Sequence, residues 1–370
     1  MRIGFVMEIG LGHTTFYKNL RAAVERHPDI EPTWIEITFD EPGLLGRIPK
    51  VRNDIRLRAG IQARRKVGAF VRREAPDALF FHTQMPTWLC SRYIEATPTM
   101  ISLDGTLQQF ASVGWAYGLP APGRSWLDNK KAHHDQQVFR AARLVFAFSR
   151  WAANGVVAEY GTDEDRVVAI SPGVDLDAWK PAGTKRGGRP LQLLFVGGDF
   201  WRKGGDLVLR WMRERAPEGC HLDVVSSDKV EPTRNTTVHS TLRANDPTLK
   251  RLYREADIFL LPTRGDLSPL VLMEAMASGI PVISTRMAAI PEMVVDGPLP
   301  PGGWLVEPGD WESFAETLSR VCEDRDRLPH IGASARMRAE HTYDGAKNLA
   351  REIELIKEVA TRGRHLRPVR

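Results

Sequence analysis

Two blocks of alternating strand-like and helix-like segments, parted by one stretch that can be neither, constrain the fold of this chain most. The stretch is KPAGTKRGGRP, residues 180–190, rich in Gly, Pro and basic residues and almost free of apolar ones. That composition suits a linker. Before it, short apolar runs at 3–7, 33–38, 78–81, 99–103, 144–148 and 167–170 read as strands. Helical patterns lie between several of them, most clearly at 59–74, 130–143 and 150–160. The turn Gly10-Leu11-Gly12 is expected to lead into a helix capped by Thr14 or Thr15 and running to about His27. After the linker, strands are expected at 191–196, 221–226, 258–261, 281–284 and 304–306. Helices are expected from Lys203 or Gly204 and at 246–256, 269–278, 310–322 and 345–360.

Strands that alternate with helices imply a parallel sheet covered on both faces. The expected fold class is therefore α/β, with two Rossmann-like doubly wound domains facing a central cleft. Ligands are expected beyond the carboxyl ends of the strands. The expected division is residues 1–180, a linker at 181–190, a second domain at 191–344, and a C-terminal helix in 345–370 that packs back on the first domain. A chain of 370 residues is long enough for two domains of ordinary size.

Composition excludes several classes. With 42% apolar and 26% charged residues, the chain is not disordered. No apolar run approaches the roughly 20 residues that span a bilayer. The opening MRIGFVMEIGLGHTT breaks at Glu8 and runs into a glycine turn, unlike a signal peptide. Cys90, Cys220 and Cys322 are few and lack CxxC spacing, which argues against a disulfide frame or zinc site and points to the cytoplasm. The net charge of +5 fits phosphate-bearing ligands, anionic membranes or nucleic acid alike. Much of the basic charge falls in residues 47–73, where Leu57, Ile61, Val67, Phe70 and Val71 interleave with it at near-helical spacing. That stretch reads either as a core-packed helix with a solvated basic face or as a peripheral contact with anionic lipid at the inner face of the membrane. No reader motif accompanies it, so nucleic acid is not expected.

The chemistry concentrates after the linker. In FVGGDFWRKGGDLVL, residues 195–209, a strand ends, Gly197 and Gly198 let the backbone turn, and Arg202 and Lys203 stand at a helix N-terminus. Free N–H groups and the helix dipole favour an anion there, and two cations make it a diphosphate site. In PTRGDLSPLVLMEAMASGIPVIST, residues 262–285, a polar loop carries Asp266, and Pro269 suits the first turn of the helix that bears Glu274. Backbone N–H groups from Ser268 to Leu270 are expected to face the same crevice as Asp266. Glu274 lies among apolar neighbours, so it is expected to be largely buried and to need a partner. It is placed to hold a ribose diol.

These two segments resemble glycosyltransferase family 4, the retaining GT-B enzymes. The family signature is Glu, seven residues, Glu and an AxASGxPVI-like run; this chain has Asp266, seven residues, Glu274 and AMASGIPVIST. Residues 148–181 resemble the family's passage out of the first domain, with Ser149 capping a helix, Tyr160-Gly161 closing it and Pro172-Gly173 turning out. The resemblance covers roughly residues 140–340. It implies a UDP-, GDP- or other nucleotide-diphosphate sugar as donor, with no cofactor and no metal. Gly12, Gly197, Gly198, Arg202, Lys203, Asp266, Ser268, Pro269, Leu270 and Glu274 are implied to bind the donor. Asp266 lies near its sugar, Glu274 holds its ribose, and Arg202 with Lys203 neutralises its diphosphate. The family's histidine after the fourth strand is replaced in MISLDGTLQQF, which puts Asp104 at or next to that place. Asp104, Asp266 and Lys203 are the implied catalytic groups, and His13, His82 and Asp104 the acceptor-binding ones. His133 and His134 are alternatives. Asp175-Leu176-Asp177 is formally a metal-binding DxD but sits in the exit turn, away from any nucleotide strand end. A nucleotide-sugar epimerase or phosphorylase, and a non-catalytic sugar-nucleotide binding module, fit the same plan.

Overall fold

The computed structural model describes residues 1–10, 13–38, 54–119, 126–183 and 189–365. Its first half runs β1 (Arg2–Ile9), α1 (His13–Val24), β2 (Glu31–Thr38), α2 (Ile55–Glu74), β3 (Ala78–His82), α3 (Ser91–Ala96), β4 (Thr99–Leu103), α4 (Leu107–Val113), α5 (Trp126–Ala141), β5 (Leu144–Ala147), α6 (Arg150–Tyr160) and β6 (Val167–Ala169). The second half runs β7 (Leu191–Val196), α7 (Gly205–Glu214), β8 (Cys220–Val225), β9 (Thr236–His239), α8 (Pro247–Glu255), β10 (Ile258–Leu261), α9 (Leu270–Ala277), β11 (Val282–Thr285), α10 (Ile290–Val294), β12 (Gly303–Val306), α11 (Trp311–Glu323), α12 (Leu328–Thr342) and α13 (Gly345–His365). The chain forms two compact units. One comprises Met1–Gln109, Pro122–Pro172 and Lys347–Arg370; the other comprises Phe110–Ala121 and Gly173–Ala346.

Each unit is built on one sheet, ordered β2-β1-β3-β4-β5-β6 in the first and β12-β11-β10-β7-β8-β9 in the second. The pairings are parallel. Period-two side-chain alternation explains how both faces are buried. On β1, Ile3, Phe5 and Met7 enter one core while Val6 enters the other. On β7, Leu191, Leu193 and Phe195 separate from Leu194 and Val196 in the same way. Apolar residues on both faces require helices on both faces, and the alternating sequence supplies them. Leu349, Ile353, Ile356 and Ala360 of α13 join Ile3 and Phe5 in a core of the first unit.

The division falls at Pro172 and Gly173, ahead of the linker-like stretch at 181–190. Residues 173–180 belong to the second unit because its backbone holds them. The Val174 N–H donates to the Tyr343 carbonyl and the Gly345 N–H to the Val174 carbonyl, both at 2.9 Å. Trp179 is buried in the same core. Residues 184–188 lie outside the described residues. α1 begins at His13, so Thr14 and Thr15 are helical residues rather than caps. β9 and α12 have no counterpart in the sequence reading. β9 reads TTVH and is nowhere fully buried, and α12 carries Pro329 and Gly332 in its first turns.

No described helix is long and apolar enough to cross a membrane. In the basic stretch, Asp54 caps α2 by accepting from the Leu57 N–H at 3.0 Å. Ala59, Ala63, Val67 and Phe70 pack into the core of the first unit, while Arg64, Arg65, Arg72 and Arg73 are exposed. Residues 47–53 lie outside the described residues.

Candidate functional site

In a doubly wound sheet the crevice opens where the strand order reverses. In the second unit the chain leaves β7 toward β8 and β9, then returns to β10 on the other side of β7. The reversal therefore lies between β7 and β10. The loops leaving these two strands carry the residues singled out by the sequence.

After β7, the Lys203 N–H donates to the Asp199 carbonyl at 3.0 Å, and the Gly204 N–H to the Trp201 carbonyl at 3.0 Å. Gly204 caps α7 with φ +81°, and a Cβ there would stand 2.1 Å from the Pro262 carbonyl oxygen. Only glycine meets both demands. Gly197 serves Lys203 directly, since a Cβ on it would lie 2.9 Å from the Lys203 Cβ and Cγ. Gly198 is exposed, with nothing nearer to such an atom than Ser227 Oγ at 3.6 Å.

The two loops are joined through Asp266, which is 7% exposed. Lys203 Nζ donates to Asp266 Oδ1 at 2.6 Å, and Arg202 approaches the same oxygen at 3.5 Å. The Thr263 hydroxyl donates to Oδ2 at 2.8 Å. Arg202 is held further by Asp199 Oδ2 at 2.9 Å and by the Gly265 carbonyl, and its guanidinium lies 4.4 Å over the Tyr117 ring. Arg264 makes a two-pronged pair with Asp206 at 2.7 and 2.8 Å. The result is a dense, partly desolvated network of three cations paired with three carboxylates, in which Arg202 and Lys203 are held where they could meet an anion.

Glu274 sits in the second turn of α9 and is partly buried. It accepts from the Tyr253 hydroxyl at 3.1 Å on Oε2. Burial pushes its carboxyl up to about 7, against the pull of that hydrogen bond and of Lys250. Among the described residues, Oε1 accepts no hydrogen bond. Pro269 is the N-cap of α9. It has no N–H, which corrects the expectation of a continuous donor row: of residues 268–270 only Ser268 and Leu270 have one to offer.

In the first unit the reversal lies between β1 and β3. His82, at the end of β3, is fully buried between Phe16 and Phe148 at ring distances of 4.6 and 5.8 Å. Its Nδ1 meets Ser102 Oγ at 2.8 Å and its Nε2 meets His13 Nδ1 at 3.0 Å. Burial and then His13 hold its pKa well below the ordinary value, so it is neutral at pH 7. Glu8, at the end of β1, accepts from the Thr83 hydroxyl. Burial raises its pKa, and Asp104 adds to the rise while His13 and Thr83 oppose it. Thr83 turns with φ +66°, a conformation few non-glycine residues adopt. His13 and Asp104 thus act on a carboxyl that the sequence marked only as a break in an apolar run, and His82 joins them through His13. Gly12 lies outside the described residues.

His133 and His134 make other contacts on α5. His134 Nε2 meets Ser91 Oγ and His133 Nε2 meets Gln137 Nε2, each at 3.1 Å. Asp175 Oδ1 accepts from the Asp177 and Ala178 N–H groups at 2.9 and 3.0 Å, so the first acid of the DxD stabilises its own turn.

Two units of this topology, with a crevice of paired charges at the switch point of the second, define a double Rossmann-like α/β protein. Family models match in tandem: Glycosyltransferase Family 4 over residues 21–178 and Glycosyl transferases group 1 over residues 190–324. The chain belongs to the group 1, family 4-type glycosyltransferases, and its two-domain α/β architecture is the GT-B fold. It is similar to D-inositol 3-phosphate glycosyltransferase 2 of Catenulispora acidiphila, 32% identical over 229 residues, 54% of this chain and 53% of that protein. The chain spans about half the length of the curated relatives it matches. Among solved structures it is similar to sucrose-phosphate synthase from Thermosynechococcus elongatus, with a TM-score of 0.75, 14% identity, and coverage of 97% and 99% of the two chains. It is also similar to Anabaena Alr3699/HepE in complex with UDP-glucose, with a TM-score of 0.69, 15% identity, and coverage of 97% and 100%. At those identities the likeness is one of fold.

Proposed function

We propose that this chain transfers a sugar from a nucleotide-diphosphate sugar to a hydroxyl acceptor with retention of anomeric configuration. The observation that carries this reading is the Arg202–Lys203 pair, fixed at the switch point of the second unit beside α7. Breaking the bond between the anomeric carbon and the diphosphate leaves new negative charge on the diphosphate. Two cations that the fold holds in place stabilise that charge. The departing phosphate oxygen accepts the acceptor's proton, so no separate general base is needed. Glu274 binds the ribose of the donor. His13, His82 and Asp104, with Glu8 among them, supply polar groups for the acceptor in the first unit. Buried thiols at Cys90, Cys220 and Cys322 suit a reducing compartment, and the reading places the chain in the cytoplasm. The exposed arginines of α2 are the face that would meet an anionic membrane.

A thermal-shift screen of nucleotide diphosphates and nucleotide sugars tests the donor assignment, since ligands of the folded state raise its melting temperature. No shift with any of them would end this reading. Incubating the donor without acceptor should give slow hydrolysis and no isomerised nucleotide sugar, which separates transfer from epimerisation.

Two further outcomes follow. With Arg202 and Lys203 balancing the diphosphate, turnover in excess chelator is expected to equal turnover in added Mg²⁺ or Mn²⁺. A chelator-sensitive rate restored by metal would contradict that. Glu274→Gln is expected to weaken nucleotide binding about tenfold, because an amide accepts from only one side of a diol. Because the Glu274 carboxyl is neutral below about 7 and ionised above, wild-type affinity should rise as pH is raised through that value. Titration calorimetry at pH 6 and 8 checks both, and an equal affinity for variant and wild type refutes the ribose role.

A further inference from the structure

The Glu274 carboxylate is not held by its own helix. Its hydrogen bond comes from α8, through the Tyr253 hydroxyl. We propose that Tyr253 is a positioning residue for the donor: its buried hydroxyl holds one oxygen of the Glu274 carboxylate and so sets the direction in which the other meets the ribose. This rests on the ribose role given to Glu274 above and deepens it.

Tyr253 is fully buried. Its ring stacks on Phe259 with centroids 5.5 Å apart and meets Trp179 edge-on at 4.9 Å. Packing on both sides leaves the hydroxyl little freedom. Two acceptors lie within its reach, Glu274 Oε2 at 3.1 Å and the Val271 carbonyl at 3.3 Å. A charged acceptor takes the proton in preference to a neutral one. The terminal torsion of a glutamate is broad, so an unanchored carboxylate turns. With Oε2 held, Oε1, which accepts no hydrogen bond among the described residues, is left facing one way.

The anchor also acts on charge. Burial pushes the Glu274 carboxyl up to about 7, and the Tyr253 hydrogen bond, then Lys250, oppose the rise. Burial, then Glu274, raises the pKa of Tyr253 itself, so its hydroxyl stays a donor. Lys250 stands about one turn before Tyr253 on α8, with Nζ 5.8 Å from the Trp179 ring. Of the other elements packed on α9, β10 and β11 carry no charged side chain. On α12, Arg336 donates to the Ala277 carbonyl at the far end of α9 and pairs with Glu340, while Arg338 donates to the Leu299 and Pro300 carbonyls. Tyr253 and Lys250 are therefore the groups that keep this buried carboxyl ionised.

The test is titration calorimetry of the full chain with UDP, GDP and inorganic pyrophosphate at pH 6, 7.5 and 9. Tyr253→Phe keeps the ring and loses the hydroxyl, and is expected to weaken nucleotide binding about tenfold at pH 7.5. Losing a bond that lowers the Glu274 pKa moves the rise in affinity to a pH above about 7. The deficit is therefore largest at pH 7.5, where the wild-type carboxyl is ionised and that of the variant is largely not. It shrinks at pH 6, where both are neutral, and at pH 9, where both are ionised; what remains at pH 9 measures orientation. Pyrophosphate has no ribose and should bind variant and wild type alike. In a Glu274→Gln background, Tyr253→Phe should produce no pH-dependent deficit. Lys250→Gln removes charge but leaves the anchor, so it should shift the rise the same way and bind like wild type at pH 9. Tyr253→Met, which fills the space without a hydroxyl, serves if the Phe variant does not fold. Wild-type affinity in Tyr253→Phe, the same deficit at all three pH values, or an equal loss for pyrophosphate would overturn the proposal. A deficit at pH 9 in Lys250→Gln as large as that in Tyr253→Phe would reduce the effect to charge and overturn it too. If wild type binds neither nucleotide nor pyrophosphate, the donor reading fails. If Glu274→Gln alone matches wild type at every pH, the ribose role fails, and both results are distinct from those on Tyr253.

Discussion

Lys203→Ala is expected to lower kcat/KM for the nucleotide-sugar donor by about 10²- to 10³-fold, the range seen when one preorganised charge-stabilising group is removed from an active site. The structure makes the substitution specific. The Lys203 stem crosses above Gly197, where no Cβ fits, and its ammonium lies against Asp266, so a cation is held at one point. Removing it leaves a sheltered carboxylate without its main partner at the place proposed for the diphosphate and its developing charge. The loss should appear in kcat as well as in KM, because that charge grows toward the transition state. Arg202 remains in the variant, anchored to Asp199 and the Gly265 carbonyl, which limits the fall. Initial rates at donor concentrations far below KM give the number directly. Full turnover under those conditions would remove Lys203 from the diphosphate site.

Lys203 stands out in the sequence as a candidate because its signal is local. A strand, two glycines and a cation at a helix start fall within a few residues, and each has a meaning of its own. Glu274 was legible for a similar reason, as a lone carboxylate in an apolar helix that has to find a partner. The partner, Tyr253, lies 21 residues away and left no mark in the pattern. Asp266 shows where such reading stops. Its spacing from Glu274 was visible, but its contact with Lys203 spans 63 residues and that of Arg202 with Tyr117 spans 85. Contacts of that range are set by strand order, which periodicity does not encode. Glu8 was passed over because a carboxylate in an apolar run looks like an interruption until β3 and β4 bring Thr83 and Asp104 toward it. The division between the compact units lies ahead of the change in composition for a related reason. Composition changes at residue 180, but the backbone of Val174 is already bonded to Tyr343 and Gly345.

Gly204→Ala is the backbone counterpart of the Lys203 experiment, and its expected result is a large loss of stability together with loss of donor binding. Two separate costs meet at this residue. Its φ of +81° charges any side chain roughly 1–2 kcal/mol. A Cβ would also stand 2.1 Å from the Pro262 carbonyl oxygen and 2.7 Å from its carbon, so the β10 loop has to move. Together these are expected to cost about 3 kcal/mol or more, which for a unit of this size lowers Tm by about 6–12 °C. The displaced segment is the one that matters for chemistry. Pro262 precedes Thr263, whose hydroxyl holds Asp266, and the Arg264 N–H donates to the Arg202 carbonyl at 2.8 Å. A shift there separates the cations from their counter-ion, and a displacement of about 1 Å in a reacting site is enough for a 10²-fold loss of rate. Gly198→Ala is the matched control. That residue is exposed, lacks a positive φ, and has only Ser227 Oγ at 3.6 Å in the way, so its melting temperature should match wild type within about 1 °C. If both variants melt with wild type, the tight approach of α7 to the β10 loop is not what holds the diphosphate site together.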